Sequence, residues 1–129
     1  SIKNLFSTYQ SGFRKNKSTF RNITILINLL EHDQNIKKLH LTYLDFKKAY
    51  DSVEHWGLEQ VLRYYKVEDN FITLIKDIYS ANTANLIINN ELSKDIPLTR
   101  GVKQGDGLSP LLFIIFINPL LKYIEEQYK

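Results

Sequence analysis

Asp45 and Asp51 flank a short charged turn in LTYLDFKKAYDSV, residues 41–53, where an apolar run stops on a carboxylate. A carboxylate at the C-terminal end of a strand sits at the rim of a sheet, open to ligand. Magnesium takes hard oxygen ligands and keeps phosphate oxygens in its shell, so one or two such groups suffice to hold it. The alternative is that Asp45 simply ends a strand, and residue type alone does not separate the two. A second stretch, RGVKQGDGLSP at 100–110, gathers three of the chain's five glycines, at 101, 105 and 107. Glycine permits close backbone approach to a ligand, Gln104 brings both a donor and an acceptor, and a helix start just beyond favours anions. A flexible loop ahead of a core helix would read the same way, and the P-loop spacing is absent. A third stretch, QSGFRKNKST at 10–19, is a basic turn in which Arg14, Lys15 and Lys17 can grip phosphates and Phe13 can pack or stack. Taken alone it reads as a surface turn.

These residues need elements to hold them. Residues 17–31 predict a helix, with Phe20, Ile23, Ile27 and Leu30 at spacings of three and four and Ser18 or Thr19 as cap. Residues 39–46 alternate as a strand, placing Leu41, Tyr43 and Asp45 on one face. Ser52 is suited to cap a helix to about residue 65 that buries Leu58, Val61, Leu62 and Tyr65. Asp69 is suited to cap another, with Phe71, Ile72, Ile75 and Ile78 inward. Residues 84–88 and 92–98 predict two strands joined across Asn89 and Asn90, which tolerate left-handed backbone. From residue 108 a strongly apolar helix follows, with Ser109 as cap, Pro110 in the first turn and Pro119 as a kink or restart. Helices mixed with a hairpin predict an α+β fold, helices packed on a small antiparallel sheet.

A chain of 129 residues can bury one real core and not two comfortable ones. It has no cysteine, so disulfides and thiolate zinc sites are excluded. It begins at Ser1 and contains no methionine, which predicts a piece of a longer protein. No apolar h-region opens the chain, and the longest apolar run, 111–117, is far short of the roughly 20 residues a membrane span needs. The net charge of +3 is uneven. The first thirty residues carry Lys3, Arg14, Lys15, Lys17 and Arg21 and no acid, so the remainder sums to −2. A basic end beside a near-neutral body suits a polyanionic partner, or is a solvated basic face.

In this order and spacing the three stretches resemble the reverse transcriptase family, and within it the enzymes of non-long-terminal-repeat retrotransposons. QSGFRKNKST is similar to the motif that opens the family's fingers, YLDFKKAYDSVEHWGL to the first catalytic motif of the palm, and GVKQGDGLSPLLF to the glycine–glutamine motif that follows. The resemblance runs from about Gln10 to the C-terminus. It implies the partial fingers–palm of a right-hand polymerase: residues 1–38 fingers-like, residues 39–129 palm-like. It implies that Asp45 is the catalytic aspartate and ligand of two magnesium ions, with the Phe46 backbone carbonyl on one of them. Lys48 and Ala49 would then offer backbone N–H groups to the triphosphate. Tyr50 would lie under the incoming sugar and exclude a 2′-hydroxyl, and Gln104 and Gly105 would meet the nucleotide and its template partner. Arg14 would sit near triphosphate or template, with Lys15 and Lys17 beside it on nucleic acid. Asp51 reads as structural, bonding the start of the next helix.

The implied partners are an RNA template, a DNA primer and deoxynucleoside triphosphates, with no membrane, in an intracellular and, by analogy with mobile elements, nuclear setting. The family's aromatic–Ala–Asp–Asp turn is missing from the chain, as are a thumb and any endonuclease domain; the one acidic pair after Pro110 is Glu125–Glu126. The expectation is therefore a segment of an RNA-directed DNA polymerase, inactive by itself and prone to self-association through exposed apolar surface. The competing reading is a non-catalytic nucleic-acid-binding remnant of such a polymerase.

Overall fold

Every fully buried apolar side chain among the described residues lies between Val53 and Ile114. A computed structural model describes residues 5–31 and 39–128, and two compact units divide them: residues 1–46 with 120–129, and residues 47–119. Lys3, and the expected division after residue 38, fall at stretches outside the described residues.

The core of the second unit is built by helices. α2 (His55–Tyr64) buries Leu58 and Leu62, and α3 (Asp69–Ser80) buries Ile72, Ile75 and Tyr79. Positions three and four apart on each helix share a face, and the two faces close on one another. Val53, Val102 and Leu112 complete the cluster. The ends of these helices differ from expectation. Glu54 and Glu68 occupy the N-cap positions without side-chain caps, while the Ser52 hydroxyl donates to the Lys47 carbonyl at 3.1 Å. Ser52 stabilises the preceding turn, and Asp69 is the first residue of α3 rather than its cap. Phe71 and Ile78 stay exposed and Tyr79 is buried in their place, because the stripe of α3 runs 72, 75, 79. α2 is closed just beyond its Tyr65 C-cap by Lys66, whose φ is +56°. The Val67 N–H donates to the Leu62 carbonyl at 3.1 Å and the Lys66 N–H to Arg63 at 2.9 Å, a Schellman closure made without glycine. Across the pair, Glu59 accepts from Arg63 and Lys76 at 3.0 Å each, and Arg63 reaches Asp69 at 2.6 Å. Their hydrogen bonds, that from Lys76 foremost, hold the Glu59 carboxyl below its ordinary value.

The hairpin forms where the Asn–Asn signal puts it. β1 (Thr83–Ala84) pairs antiparallel with β4 (Ile96–Pro97), and β2 (Ile87–Ile88) with β3 (Glu91–Leu92). Asn89 and Asn90 both have positive φ, as a two-residue hairpin turn requires. The ladder breaks between the two pairs because side chains take over the bonding. The Leu86 N–H donates to Ser93 Oγ at 2.9 Å, and Asn85 Nδ2 reaches the Ser93 carbonyl and Asp95. α4 (Ser109–Gln127) runs on through Pro119 as one helix. Asp106, not Ser109, bonds its entry, accepting from the Leu108 N–H at 2.6 Å. Ser109 is fully buried and its hydroxyl lies 3.3 Å from that of Tyr79. Asn118 is buried too, and its Nδ2 donates to the Tyr65 hydroxyl at 2.5 Å.

The first unit has little apolar interior among its described residues. α1 (Thr19–Glu31) starts two residues later than expected, with Ser18 Oγ accepting from the Phe20 N–H at 3.1 Å. None of its residues is buried, so the stripe of Phe20, Ile23, Ile27 and Leu30 stays exposed. The expected strand over 39–46 is not found: among the described residues these are paired with no strand. Alternating polarity suits a strand to a sheet face, but a strand exists only by sharing its N–H and C=O groups with a neighbour. At the other end of this unit, Thr8 Oγ1 donates to Glu125 Oε1 at 2.6 Å. The observed class is α+β: among the described residues, four helices with two small antiparallel pairings.

Candidate active site

Within the second unit, the turn that follows Asp45 is bound to the glycine loop by backbone. The Val102 N–H donates to the Tyr50 carbonyl at 3.0 Å and the Gly101 N–H to the Val53 carbonyl at 2.8 Å. Glu54 and Arg100 form an antiparallel bridge beside them, and His55 Nε2 lies 2.8 Å from the Gly101 carbonyl. Gly101 has a φ of +96°, and a Cβ there would stand 3.2 Å from the Asp51 Cα. Only glycine lets the loop pass that close to the turn. Gln104 Nε2 then comes to 3.5 Å from Asp51 Oδ1, the outer limit of a hydrogen bond. The resulting groove, about 520 Å³, is lined by Asp51, Arg100, Lys103 and Gln104 among others.

The turn itself is closed by its own backbone. Lys48 is left-handed, with φ +51°, and its carbonyl accepts from the Ser52 N–H at 2.9 Å. Among the described residues no backbone acceptor takes the N–H of Lys48 or Ala49. A right-handed residue next to a left-handed one is the general geometry by which successive N–H groups form an anion-binding concavity. Tyr50 is half-buried, its ring stacked on Phe113 of α4 at 5.2 Å between centroids and 19° between planes. That fixes the ring's plane while leaving part of it open.

Asp45 and Phe46 close the first unit, and both side chains are exposed. Among the described residues no three His, Asp or Glu side chains gather as a metal cage. The hard-oxygen donors here, one exposed carboxylate followed by the Phe46 carbonyl, suit an ion that keeps water or phosphate oxygens in its shell; they do not make a closed site.

Arg14 behaves differently from its neighbours. Its Nη1 donates to the carbonyls of Ser7 at 2.9 Å and Gln10 at 3.1 Å, and its guanidinium lies 5.3 Å from the Phe6 ring centroid. It braces the turn before α1. Lys15 and Lys17 are exposed. A groove of about 560 Å³ brings Lys17 together with Arg21, Asn22 and the exposed Tyr9. Arg21 also belongs to the basic end of the sequence, and its place four residues after Lys17 is the signal for their common groove. His55 and Phe113 also support the site. Nothing local in HWGL or PLLF says that they support the turn, since their partners stand 46 and 63 positions away.

No helix among the described residues is long and apolar enough to cross a membrane. The family model for "Reverse transcriptase (RNA-dependent DNA polymerase)" matches residues 1–129. The chain is 30% identical over 119 residues to the "Retrovirus-related Pol polyprotein from type-2 retrotransposable element R2DM" of Drosophila melanogaster, covering 92% of this chain and 11% of that protein. It is 33% identical over 124 residues to the "Retrovirus-related Pol polyprotein from type-1 retrotransposable element R2" of Nasonia vitripennis, covering 95% of this chain and 12% of that one. The "RNA-directed DNA polymerase from mobile element jockey" of Drosophila melanogaster is 27% identical over 117 residues, covering 87% and 12%. The chain thus spans roughly a ninth of the length of the curated relatives it matches.

Proposed function

This chain belongs to the reverse transcriptase family, and from that membership we propose that it supplies the fingers and part of the palm of an RNA-directed DNA polymerase. The observation that carries the reading is the union of the Lys48–His55 turn with the Arg100–Gln104 loop by backbone hydrogen bonds, beside a groove lined by Asp51, Arg100, Lys103 and Gln104. Asp45 is the metal-binding carboxylate and Phe46 lends its carbonyl. When bound, magnesium would neutralise triphosphate charge and lower the pKa of the primer 3′-hydroxyl. The backbone N–H groups of Lys48 and Ala49 hold the triphosphate. Tyr50, kept in plane by Phe113, lies under the sugar and leaves no room for a 2′-hydroxyl. Gln104 and Gly105 line the wall that meets the base and its template partner.

Arg14 acts on nucleic acid through the turn it braces, while Lys15 and Lys17 contact phosphates directly. RNA template, DNA primer and deoxynucleotides are the partners, and the setting is nuclear by analogy with mobile elements. With one carboxylate of the required set, the isolated chain does not polymerise, and its exposed apolar residues on α1 make it self-associate. In the polymerase that contains this chain, Asp45→Asn abolishes synthesis and leaves template binding nearly intact, while Tyr50→Ala admits ribonucleotides. Synthesis that survives Asp45→Asn, measured by primer extension, would overturn the assignment.

A further inference from the structure

We propose that His55 is a positioning residue for the nucleotide-binding loop, acting through the Gly101 carbonyl; this rests on the reading of residues 100–105 as a wall of the nucleotide site. His55 is the first residue of α2, a helix anchored by the buried Leu58 and Leu62. Its Nε2 reaches the Gly101 carbonyl at 2.8 Å, 46 positions along the chain. A carbonyl only accepts, so Nε2 carries the hydrogen and the tautomer is set. The ring is held in turn. It packs against Tyr79 at 5.3 Å between centroids, and the Tyr79 hydroxyl lies 3.3 Å from Ser109 Oγ at the start of α4. Three helices therefore aim one N–H at one loop carbonyl.

The peptide groups flanking Gly101 are gripped on both sides. The Gly101 N–H donates to Val53 at 2.8 Å, and its carbonyl accepts from His55. Gly101 sits at φ +96°, a region that few residues enter and that glycine leaves easily once unrestrained. Val102 is anchored on its own account, its N–H on the Tyr50 carbonyl and its side chain in the core. The tie from His55 fixes the other face of the Gly101–Val102 peptide, so Lys103 and Gln104 leave that peptide in one direction, with Gln104 beside Asp51. His55 touches no substrate in this arrangement; it acts through the loop.

Two substitutions separate the hydrogen bond from the packing. His55→Phe keeps a ring against Tyr79 and removes the donor; His55→Gln keeps a donor at similar reach and removes the ring. In the polymerase containing this chain, His55→Phe raises the KM for deoxynucleotide by about tenfold, on the order of one lost hydrogen bond, with kcat little changed, and His55→Gln restores most of it. In the 129-residue chain itself, amide exchange at Gly101 and Val102 speeds up in His55→Phe and not in His55→Gln. Unchanged KM and exchange in His55→Phe, or equal loss in both variants, would overturn the proposal. A polymerase that takes up no deoxynucleotide even with His55 intact would sink the underlying reading, and exchange would still decide the tie.

Discussion

Replacing Gly101 by alanine tests the closest approach in the candidate site. Three glycines of the loop form a graded series. Gly107 has open space around it and no positive φ; Gly105 has open space and φ +87°; Gly101 has φ +96° and a Cβ position 3.2 Å from the Asp51 Cα and 3.4 Å from its carbonyl oxygen. Glycine to alanine by itself stabilises by about 0.4–1 kcal/mol, through the unfolded chain. A left-handed conformation costs an L-residue roughly 1–2 kcal/mol. At Gly101 the obstructing atoms are backbone, and relieving them means stretching the bonds to Tyr50, Val53 and His55, each worth about 0.5–1.5 kcal/mol. Gly107→Ala is therefore neutral to slightly stabilising. Gly105→Ala costs up to about 1.5 kcal/mol, and Gly101→Ala about 2–3 kcal/mol. Urea denaturation of the three variants, followed by circular dichroism, reads these differences from the midpoints. If Gly101→Ala falls within about 0.5 kcal/mol of Gly105→Ala, the size of an ordinary surface change, the contact with Asp51 does not constrain the loop and the reasoning fails.

Leu62→Ala, in the fully buried face of α2, costs about 2–5 kcal/mol through the cavity it leaves; a thermal midpoint unchanged from wild type would show that the α2–α3 face is not the core. Acid weakens the same pair of helices. The Glu59 carboxyl is held below its ordinary 4.5 by its hydrogen bonds to Lys76 and Arg63. Its contribution is therefore fully present above pH 4.5 and is lost as pH falls through the lower folded-state value. Urea midpoints measured against pH should show an acid limb that Glu59→Gln makes shallower; an identical limb would remove Glu59 from the account.

What the sequence determined by itself was local. Leu58 and Leu62 on α2, Ile72 and Ile75 on α3, the Asn89–Asn90 turn, the Ser18 cap and the motif spacings were legible because each depends on residues within a few positions of one another. Three kinds of feature were decided only in three dimensions. Residues 39–46 carry a strand pattern and form none, because a strand needs a partner and alternation does not supply one. Ser52 and Ser109 have the chemistry of caps and are used elsewhere, since the Lys47 carbonyl and the Tyr79 hydroxyl lie within their reach. His55, Phe113 and Gly101 acquire their roles from contacts 46 to 63 positions away. Residue type announces what a side chain can bond; only the folded backbone settles which of its possible partners comes within 3 Å.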